Sequence, residues 1–158
     1  MNISGKRLAT IYLRYFGITK IPLILFVRPS VYQIKDENVI IKIPFRRRVK
    51  NHLGSMYFGA MSIGADLAAG FLAFRKIQER NLRISLIFKN FSADFLKRAE
   101  GHTLFSCNDG KIIESLINKA IDSGERVEET IKVTATVPNE FGDEPVAQFK
   151  LTMSLKKY

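Results

Sequence analysis

Residues 55–74, with the sequence SMYFGAMSIGADLAAGFLAF, form the most apolar stretch of this 158-residue chain, and Asp66 is its single charged residue. As a helix, this stretch is long enough to span a bilayer. A carboxylate near the centre of such a span costs roughly 2.5–3.5 kcal/mol, and Gly59, Gly64 and Gly70 dilute the hydrophobicity further. We therefore predict a long helix buried inside a globular protein.

The predicted helix has two unlike faces. Its bulky side chains lie on one broad side and comprise Tyr57, Met61, Leu67, Phe71, Leu72 and Phe74. Its small and polar residues fall on one narrow stripe, given the helical period, and comprise Ser55, Gly59, Ser62, Asp66 and Gly70. Small residues allow a backbone or a ligand to approach closely. The stripe therefore marks a candidate binding surface.

Two interpretations of Asp66 follow from its position. It either accepts hydrogen bonds from a neighbouring segment and orients the fold, or it lies partly desolvated beside a pocket, where a raised pKa suits it to act as a base. The free amides of the first helical turn, around Ser55 to Gly59, offer donors to an anion or a developing oxyanion. Asn51 or Ser55 could equally serve as an N-cap.

The remaining periodicities predict one α+β domain over residues 1–158, with an antiparallel sheet of about six strands wrapped around the long helix. The strands are expected at 31–36, 39–45, 82–91, 95–106, 126–137 and 146–156. Residues 4–16 pattern as an amphipathic helix with Ser4 as its N-cap and Gly17 as its stop, and an apolar linker follows to residue 28. A third helix follows Asn108 or Asp109 and ends at Gly124.

Charge is concentrated in the first third of the chain. The net charge is +10, and residues 1–50 hold eleven Lys and Arg against two acids. Such a field favours an anionic partner. Without a recognition motif we expect no nucleic-acid binding. The basic residues near Tyr12, Tyr15 and Phe16 suit either peripheral membrane contact through residues 1–28 or a helix packed on a dimer.

Cysteine and histidine usage argues against metal or thiol chemistry. Cys107 is the one cysteine, which fits a reducing, cytoplasmic compartment and a small buried hydrophobe. His52 and His102 are isolated in sequence, so both are expected to be structural and no metal site is predicted.

The order of elements resembles the hotdog fold, and one segment sharpens the resemblance. Hotdog acyl-CoA thioesterases of the phenylacetate-pathway type carry Asn, then His-Gly-Gly at the helix start, then Asp seven residues after the second Gly. In this chain Asn51, Tyr57-Phe58-Gly59 and Asp66 occupy those positions without a gap. Tyr57 replaces the family's His and Phe58 its first Gly. The chain therefore resembles an uncharacterised branch of the superfamily.

The resemblance implies a site made of four residues. Asp66 would act as general base or nucleophile, the amides of Phe58 and Gly59 would polarise the thioester carbonyl, and Asn51 would position that carbonyl or the water. Tyr57, Ser55 and Ser62 would contact the substrate.

Further implications concern partners. Family members dimerise and share each site between two subunits, which implies a homodimer and leaves a tetramer open. No cofactor is implied beyond coenzyme A as part of the substrate. The cations available for its phosphates are Arg46, Arg47, Arg48, Lys50, Arg83 and Lys89.

Two functions follow for testing. The first is hydrolysis of acyl-CoA or acyl-carrier thioesters through Asp66. The alternative is a non-catalytic hotdog module that binds an acyl chain or acyl-CoA.

Overall fold

A computed structural model describes residues 5–158, so the predicted N-cap Ser4 lies outside the described residues. Six strands form one antiparallel sheet in the order β1-β2-β4-β5-β6-β3. The strands are β1 Ser30–Ile34, β2 Val39–Ile43, β3 Ile84–Phe95, β4 Thr103–Cys107, β5 Val127–Thr136 and β6 Pro145–Lys157. The helices are α1 Lys6–Thr19, α2 Pro22–Val27, α3 Phe58–Glu79, α4 Gly110–Ser123 and α5 Pro138–Phe141.

Helix α3 is the predicted central helix, and the core forms between it and the sheet. Ala65, Ala68 and Leu72 on α3 are fully buried. In β5 and β6 the predicted alternation holds, because Ile131 and Leu151 face the core while their neighbours face solvent. The α+β class with six strands around a long helix is thus confirmed. None of the helices described is long and apolar enough to cross a membrane.

The middle pair of strands differs from the prediction. One continuous strand, β3, covers the expected break between 91 and 95, and β4 begins only at Thr103. Residues 96–102 form a loop that is held to the sheet where Leu96 N–H donates to Val146 O at 2.8 Å. The strand continues because β3, an edge strand whose residues there are largely exposed, stays paired with β6 as far as Phe95.

The N-terminal segment is more helical than predicted. Helix α1 runs past the expected stop at Gly17, and the expected linker contains α2, with Pro22 at its start and Arg28 in a left-handed conformation after its end. Gly17 is buried, and a Cβ on it would come within 3.1 Å of Leu25 N. Its missing side chain therefore allows α1 and α2 to pack closely rather than ending α1.

Helix α4 follows Asp109 and ends at Gly124, which has φ of 67°, as predicted. The Asp109 side chain caps nothing on α4 and instead accepts a hydrogen bond from Lys132 N–H at 2.7 Å. The buried face of α4 includes Ile113 and Ile117, whereas Ile112 is exposed.

Candidate active site

The small-residue stripe of α3 is the part of the helix that remains partly accessible to solvent. Gly59, Ser62, Asp66 and Gly70 are half-buried, whereas most of the intervening residues are buried. The exception to the predicted stripe is Ser55, which precedes the helix and is buried. The sequence pattern therefore located the open face of α3 correctly within the helix proper.

Asp66 lies on this stripe without a partner. Burial alone raises the pKa of Asp66 to about 6, and no hydrogen-bond donor or cation of the described chain acts on the carboxylate. A carboxylate that merely oriented the fold would accept hydrogen bonds from a neighbouring segment. The environment of Asp66 therefore agrees with the second interpretation of its sequence position, a partly desolvated acid beside a pocket, and not with a carboxylate that orients the fold.

This pocket is a mainly apolar cavity of about 430 Å³, a volume in the range of small-molecule sites. Asp66 lies in its wall, and α1, α3 and β3 supply most of the remaining lining. The aromatic residues of the lining are Tyr12, Phe16, Phe71, Phe74, Phe88 and Tyr158. Tyr12 stacks on Phe74 with ring centroids 5.7 Å apart.

A second, shallower groove reaches Asp66 from the outer side. Asp66 and Ser62 line it on α3, and Phe88 and Phe91 line it on β3. Asp66 therefore stands between the apolar cavity and a groove that opens toward the free edge of β3.

The start of α3 provides free amide donors, but fewer than predicted. Met56 N–H donates to Ala99 O at 2.7 Å and Tyr57 N–H to Val49 O at 2.8 Å, so both are occupied. The helix begins at Phe58, whose amide and that of Gly59 have no carbonyl one turn earlier in the helix to bond. Since the Ser55 amide is also bonded, to Asn51 Oδ1, the free donors within the predicted range 55–59 are the amides of Phe58 and Gly59, the two residues matched to the thioesterase motif.

Tyr57 lies beside these amides. Its ring lies against Gly59, so that a Cβ on Gly59 would come within 2.6 Å of Tyr57 Cε1. The rings of Tyr57 and Phe58 lie 4.7 Å apart at the helix start, and both are largely exposed. Gly59 is therefore required for the close approach of Tyr57.

Asn51 and Ser55 form a turn before α3. Asn51 Oδ1 accepts from Leu53 N–H at 2.9 Å and Ser55 N–H at 3.2 Å, and its amide donates to Ser55 Oγ at 3.0 Å. The turn includes Gly54 at φ 85°. Neither side chain caps α3, and the structure gives Asn51 a role in shaping the approach to the helix start.

Ser62 is also bonded within the protein. Its Oγ donates to Phe58 O at 2.9 Å, which leaves the serine oxygen as an acceptor beside Asp66.

The predicted phosphate-binding cations lie in two places. Arg46, Arg47, Arg48 and Lys50 are exposed next to the start of α3, where Val49 accepts from the Tyr57 amide. Arg48 and Lys50 also contact aromatic rings, Phe26 at 5.3 Å and Phe45 at 4.2 Å respectively. This cluster is close to the free amides.

Arg83 and Lys89 differ in their surroundings. Arg83 is exposed just before β3, and its carbonyl accepts from Tyr158 N–H at 3.1 Å at the cavity wall. Lys89 instead pairs with Glu128 at 3.0 Å. Because Glu128 points away from α3 on β5, Lys89 lies on the solvent face of the sheet, away from the cavity.

Within one subunit the two halves of the candidate site are far apart. Asp66 follows Phe58 by eight residues, which corresponds to about 12 Å along a helix axis. The carboxylate and the free amides of one chain therefore cannot both contact one thioester group. Asp66 and these amides therefore do not form one thioester site within a single chain.

Sequence reasoning missed the aromatic walls of the cavity. Tyr12 and Phe16 were identified only as part of an amphipathic helix, and Tyr158 was not identified. The apolar residues on both faces of α1 were the sequence signal that this helix has contacts beyond those with the sheet, among them the cavity wall.

Within residues 5–158 neither a metal site nor a reactive thiol is found beside this site. Clusters of metal-ligating side chains are absent from this part of the chain. Cys107 is fully buried, and burial raises its thiol pKa to about 12, so it is unreactive. His102 accepts a hydrogen bond from Phe45 N–H at 2.8 Å.

Comparison with known proteins supports the fold and its class. Residues 10–155 match the model of a family described as a domain of unknown function, DUF4442. A Pseudomonas aeruginosa structure described as a protein of unknown function and probable thioesterase is 25% identical, with a TM-score of 0.78 over 94% of this chain and 96% of that chain. Among curated proteins, none matches.

Two further structures extend the comparison at low identity. A Chlorobaculum tepidum protein of unknown function is 14% identical, with a TM-score of 0.82 over 97% of each chain. A Haemophilus influenzae thioesterase is 9% identical, with a TM-score of 0.67 over 90% of this chain and 88% of that chain. These two structures confirm the fold, which is the predicted hotdog fold, and the family match together with the 25% identical relative supports a thioesterase-like superfamily.

Proposed function

The chain belongs to the DUF4442 family and has the hotdog fold of thioesterase-like proteins, and on this basis we propose that it hydrolyses acyl thioesters of coenzyme A or of an acyl-carrier protein. The observation that carries the proposal is the unpaired Asp66 carboxylate between an apolar cavity of about 430 Å³ and the groove along β3. The cavity receives the acyl chain, and the thioester carbonyl lies beside Asp66.

Asp66 performs the chemical step in this proposal. With a pKa of about 6 it is mostly ionised at neutral pH, yet it is more basic than an exposed carboxylate. It removes a proton from water that attacks the carbonyl carbon, or it attacks that carbon itself to give an anhydride that water then hydrolyses. In both routes the thiol leaves and the free acid forms.

The amides of Phe58 and Gly59 from a second subunit stabilise the negative oxygen of the intermediate. Support for a homodimer comes from β3, a 12-residue edge strand with unpaired backbone groups. Phe91 lies opposite the buried Leu151 and so faces the α3 side of the sheet, yet it remains 41% exposed. Pairing two β3 edges covers Phe91 and brings the helix start of one subunit toward Asp66 of the other.

Coenzyme A would bind with its phosphates at Arg46, Arg47 and Arg48. These cations are exposed beside the start of α3, so they lie near the proposed carbonyl site. An acyl-carrier protein, whose carrier arm is joined to the protein through a phosphodiester and ends in the thiol, would place that phosphate at the same cluster. A second pairing of dimers into a tetramer would leave this site chemistry unchanged.

Replacement of the carboxylate tests the mechanism directly. We expect Asp66→Asn to lower thiol release from a panel of acyl-CoAs by roughly 10²–10⁴-fold, the usual contribution of a general base. The wild-type rate should also fall as pH decreases through about 6, because Asp66 then becomes protonated. Asp122→Asn, on the exposed surface of α4, is the control; a rate equal to wild type in Asp66→Asn would refute the assignment.

The shared site can be tested by deleting one amide. Phe58 is the first residue of α3, a position where proline is tolerated, so Phe58→Pro removes the N–H donor without breaking the helix. We expect a loss of roughly 10²–10³-fold, as for other oxyanion donors. Mixing Phe58→Pro with Asp66→Asn subunits should restore activity, since one site of a mixed dimer is then intact; mixtures that remain inactive would argue for a site within one subunit.

Tyr57 favours a second candidate, a module that binds an acyl chain or acyl-CoA without turnover. Its ring lies over Gly59, beside the free amides. If this ring excludes the carbonyl oxygen, the wild type will bind acyl-CoA without releasing thiol, and Tyr57→Ala will gain thiol release. Thiol release by the wild-type protein would favour the hydrolase over the non-catalytic binding module.

A further inference from the structure

Helix α1 is apolar on two opposite sides. One side, which includes Ala9, Leu13 and Gly17, is buried against the rest of the protein. The other is a stripe at helical spacing that includes Ile11, Tyr15 and Ile18, each at least 60% exposed. A helix with apolar residues on both sides normally has a partner on each, and only one of them is accounted for within residues 5–158.

Helix α2 and the residue before it continue this surface. Ile21, Leu23 and Phe26 are 44%, 59% and 52% exposed. Together with Leu8, Ile11, Tyr15 and Ile18 they form what we call the α1–α2 outer face. Scattered single apolar residues on a surface are ordinary, but these seven lie on α1, on α2 and on the residue before α2, and exposed apolar side chains clustered in this way mark an interaction site.

Basic residues surround the α1–α2 outer face. Residues 5–28 contain five Lys and Arg and no acid. On the helix, Arg7 and Arg14 project beside the exposed apolar stripe. Arg48, from the turn before α3, extends this rim because its guanidinium lies 5.3 Å from the Phe26 ring.

We propose that the α1–α2 outer face binds the surface of an anionic phospholipid bilayer, with its apolar side chains among the headgroups and upper acyl chains and its basic rim on lipid phosphates. An apolar face with basic flanks is the pattern of helices that lie in the membrane interface. A second copy of the same face fits less well, since a symmetric contact would bring two acid-free basic rims together. The proposal does not depend on hydrolytic activity.

The α1–α2 outer face also adjoins the apolar cavity beside Asp66. Ile21 belongs to the outer face and lines the cavity, and Tyr12 and Phe16 form the cavity wall on the inner side of α1. A bilayer in contact with α1 and α2 would therefore lie next to the cavity. This arrangement suits a protein that handles lipid-derived acyl chains at a membrane surface.

Vesicle flotation of the full chain tests the proposal. We expect the wild type to float with phosphatidylglycerol vesicles at low salt, to bind phosphatidylcholine vesicles at least tenfold more weakly, and to be released by high salt. The double variant Leu23→Ser with Phe26→Ser should reduce binding to phosphatidylglycerol by at least tenfold. Ile112→Ser on α4, another exposed apolar side chain, is the matched control and should bind as the wild type does.

Charge reversal of the basic rim provides an independent test of lipid binding. Arg7→Glu with Lys20→Glu should also lower binding at least tenfold, whereas Lys119→Glu on α4 should have little effect. Light scattering of each variant will show its mass and its folding can be followed by circular dichroism. The proposal is overturned if the wild type does not float, if the folded outer-face variants float as well as the wild type, or if they change only the oligomeric mass and not lipid binding.

Discussion

Two charged residues of α3, Asp66 near its middle and Arg75 near its end, lie in opposite surroundings. Arg75 is 5% exposed, and its Nη2 donates to the carbonyls of Lys35 at 2.9 Å and Asp36 at 3.1 Å. The carboxylates of Asp36 and Glu79 lie 3.9 Å and 3.8 Å from its guanidinium. Asp66 has no such partner among the described residues, and burial raises its pKa to about 6.

The contrast separates a charge that holds the fold together from a charge that is available for chemistry. Arg75 fastens the turn between β1 and β2 to α3 through Nη2, whose two hydrogen bonds offset part of the loss of hydration, while Nε is buried without a hydrogen bond, 3.8 Å from the Glu79 carboxylate. Asp66 loses hydration and gains no hydrogen bond in return. An unpaired, partly buried acid beside a cavity is the arrangement expected of a functional residue rather than of a structural one.

Removal of Arg75 should have the largest effect on stability. Arg75→Met retains much of the side-chain volume but leaves the Lys35 and Asp36 carbonyls without their charged donor. We expect the free energy of unfolding to fall by about 3 kcal/mol, since hydrogen bonds to charged groups contribute roughly 1.5–3 kcal/mol each. Urea denaturation measures this loss.

The matched control for Arg75 is Arg80→Met. Arg80 is exposed after the same helix and donates to Asn118 at 2.8 Å on the surface. Surface changes of this kind usually stay within about 0.5 kcal/mol. Equal losses in the two variants would remove the distinction between Arg75 and an ordinary surface arginine.

Removal of the Asp66 charge should act in the opposite direction. The folded-state pKa is raised from 3.8 to about 6, so the stability linked to protonation of Asp66 is fully present below pH 3.8 and is lost as pH rises through about 6. Asp66→Asn should therefore be more stable than the wild type by about 1–3 kcal/mol above pH 7, with the difference vanishing near pH 4. Urea unfolding of both proteins across this range measures it.

The exposed acid Asp122 is the control for this pH dependence. Asp122→Asn, an exposed substitution on α4, should stay within about 0.5 kcal/mol of the wild type, as surface changes usually do. An Asp66→Asn protein less stable than the wild type at pH 8 would mean that Asp66 has stabilising partners in solution.

The sequence predicted the elements whose two faces differ strongly. The alternation of β5 and β6 and the small-residue stripe of α3 are confirmed, because burial on one side of a sheet or helix imposes a period on the residues. The break placed in β3 is wrong, because an edge strand exposes polar residues without turning. Arg75 was not identified, since its partners are main-chain carbonyls 39 and 40 residues away, which no side-chain pattern records.

The site could be predicted only in part for the same reason. The stripe located Asp66, and the motif located the amides of Phe58 and Gly59. The turn that engages Asn51 and Ser55, the aromatic cavity walls from α1, and the pairing of Lys89 with Glu128 depend on contacts between distant segments.

Two glycines on different faces of α3 allow the packing of those faces to be compared at positions that carry no charge. Gly64 lies on the core face, and a Cβ there would come within 2.6 Å of Phe105 Cζ, on a ring that is fully buried. Gly70 lies on the open stripe, and its Cβ would meet only the Phe88 ring, at 3.5 Å, an ordinary contact. Since alanine favours a helix interior over glycine in both places, the two sites differ in packing alone.

We therefore expect Gly64→Ala to lower the free energy of unfolding by about 1–2 kcal/mol, because overpacking a closed core displaces Phe105. Gly70→Ala should raise it by about 0.5–1 kcal/mol, the gain from helix propensity, since its methyl group enters the cavity without a clash. Thermal and urea unfolding of the two variants measure both signs. A loss of stability in Gly70→Ala would mean that the cavity beside Asp66 is closed in solution, and the acyl chain would then need another route to the carboxylate.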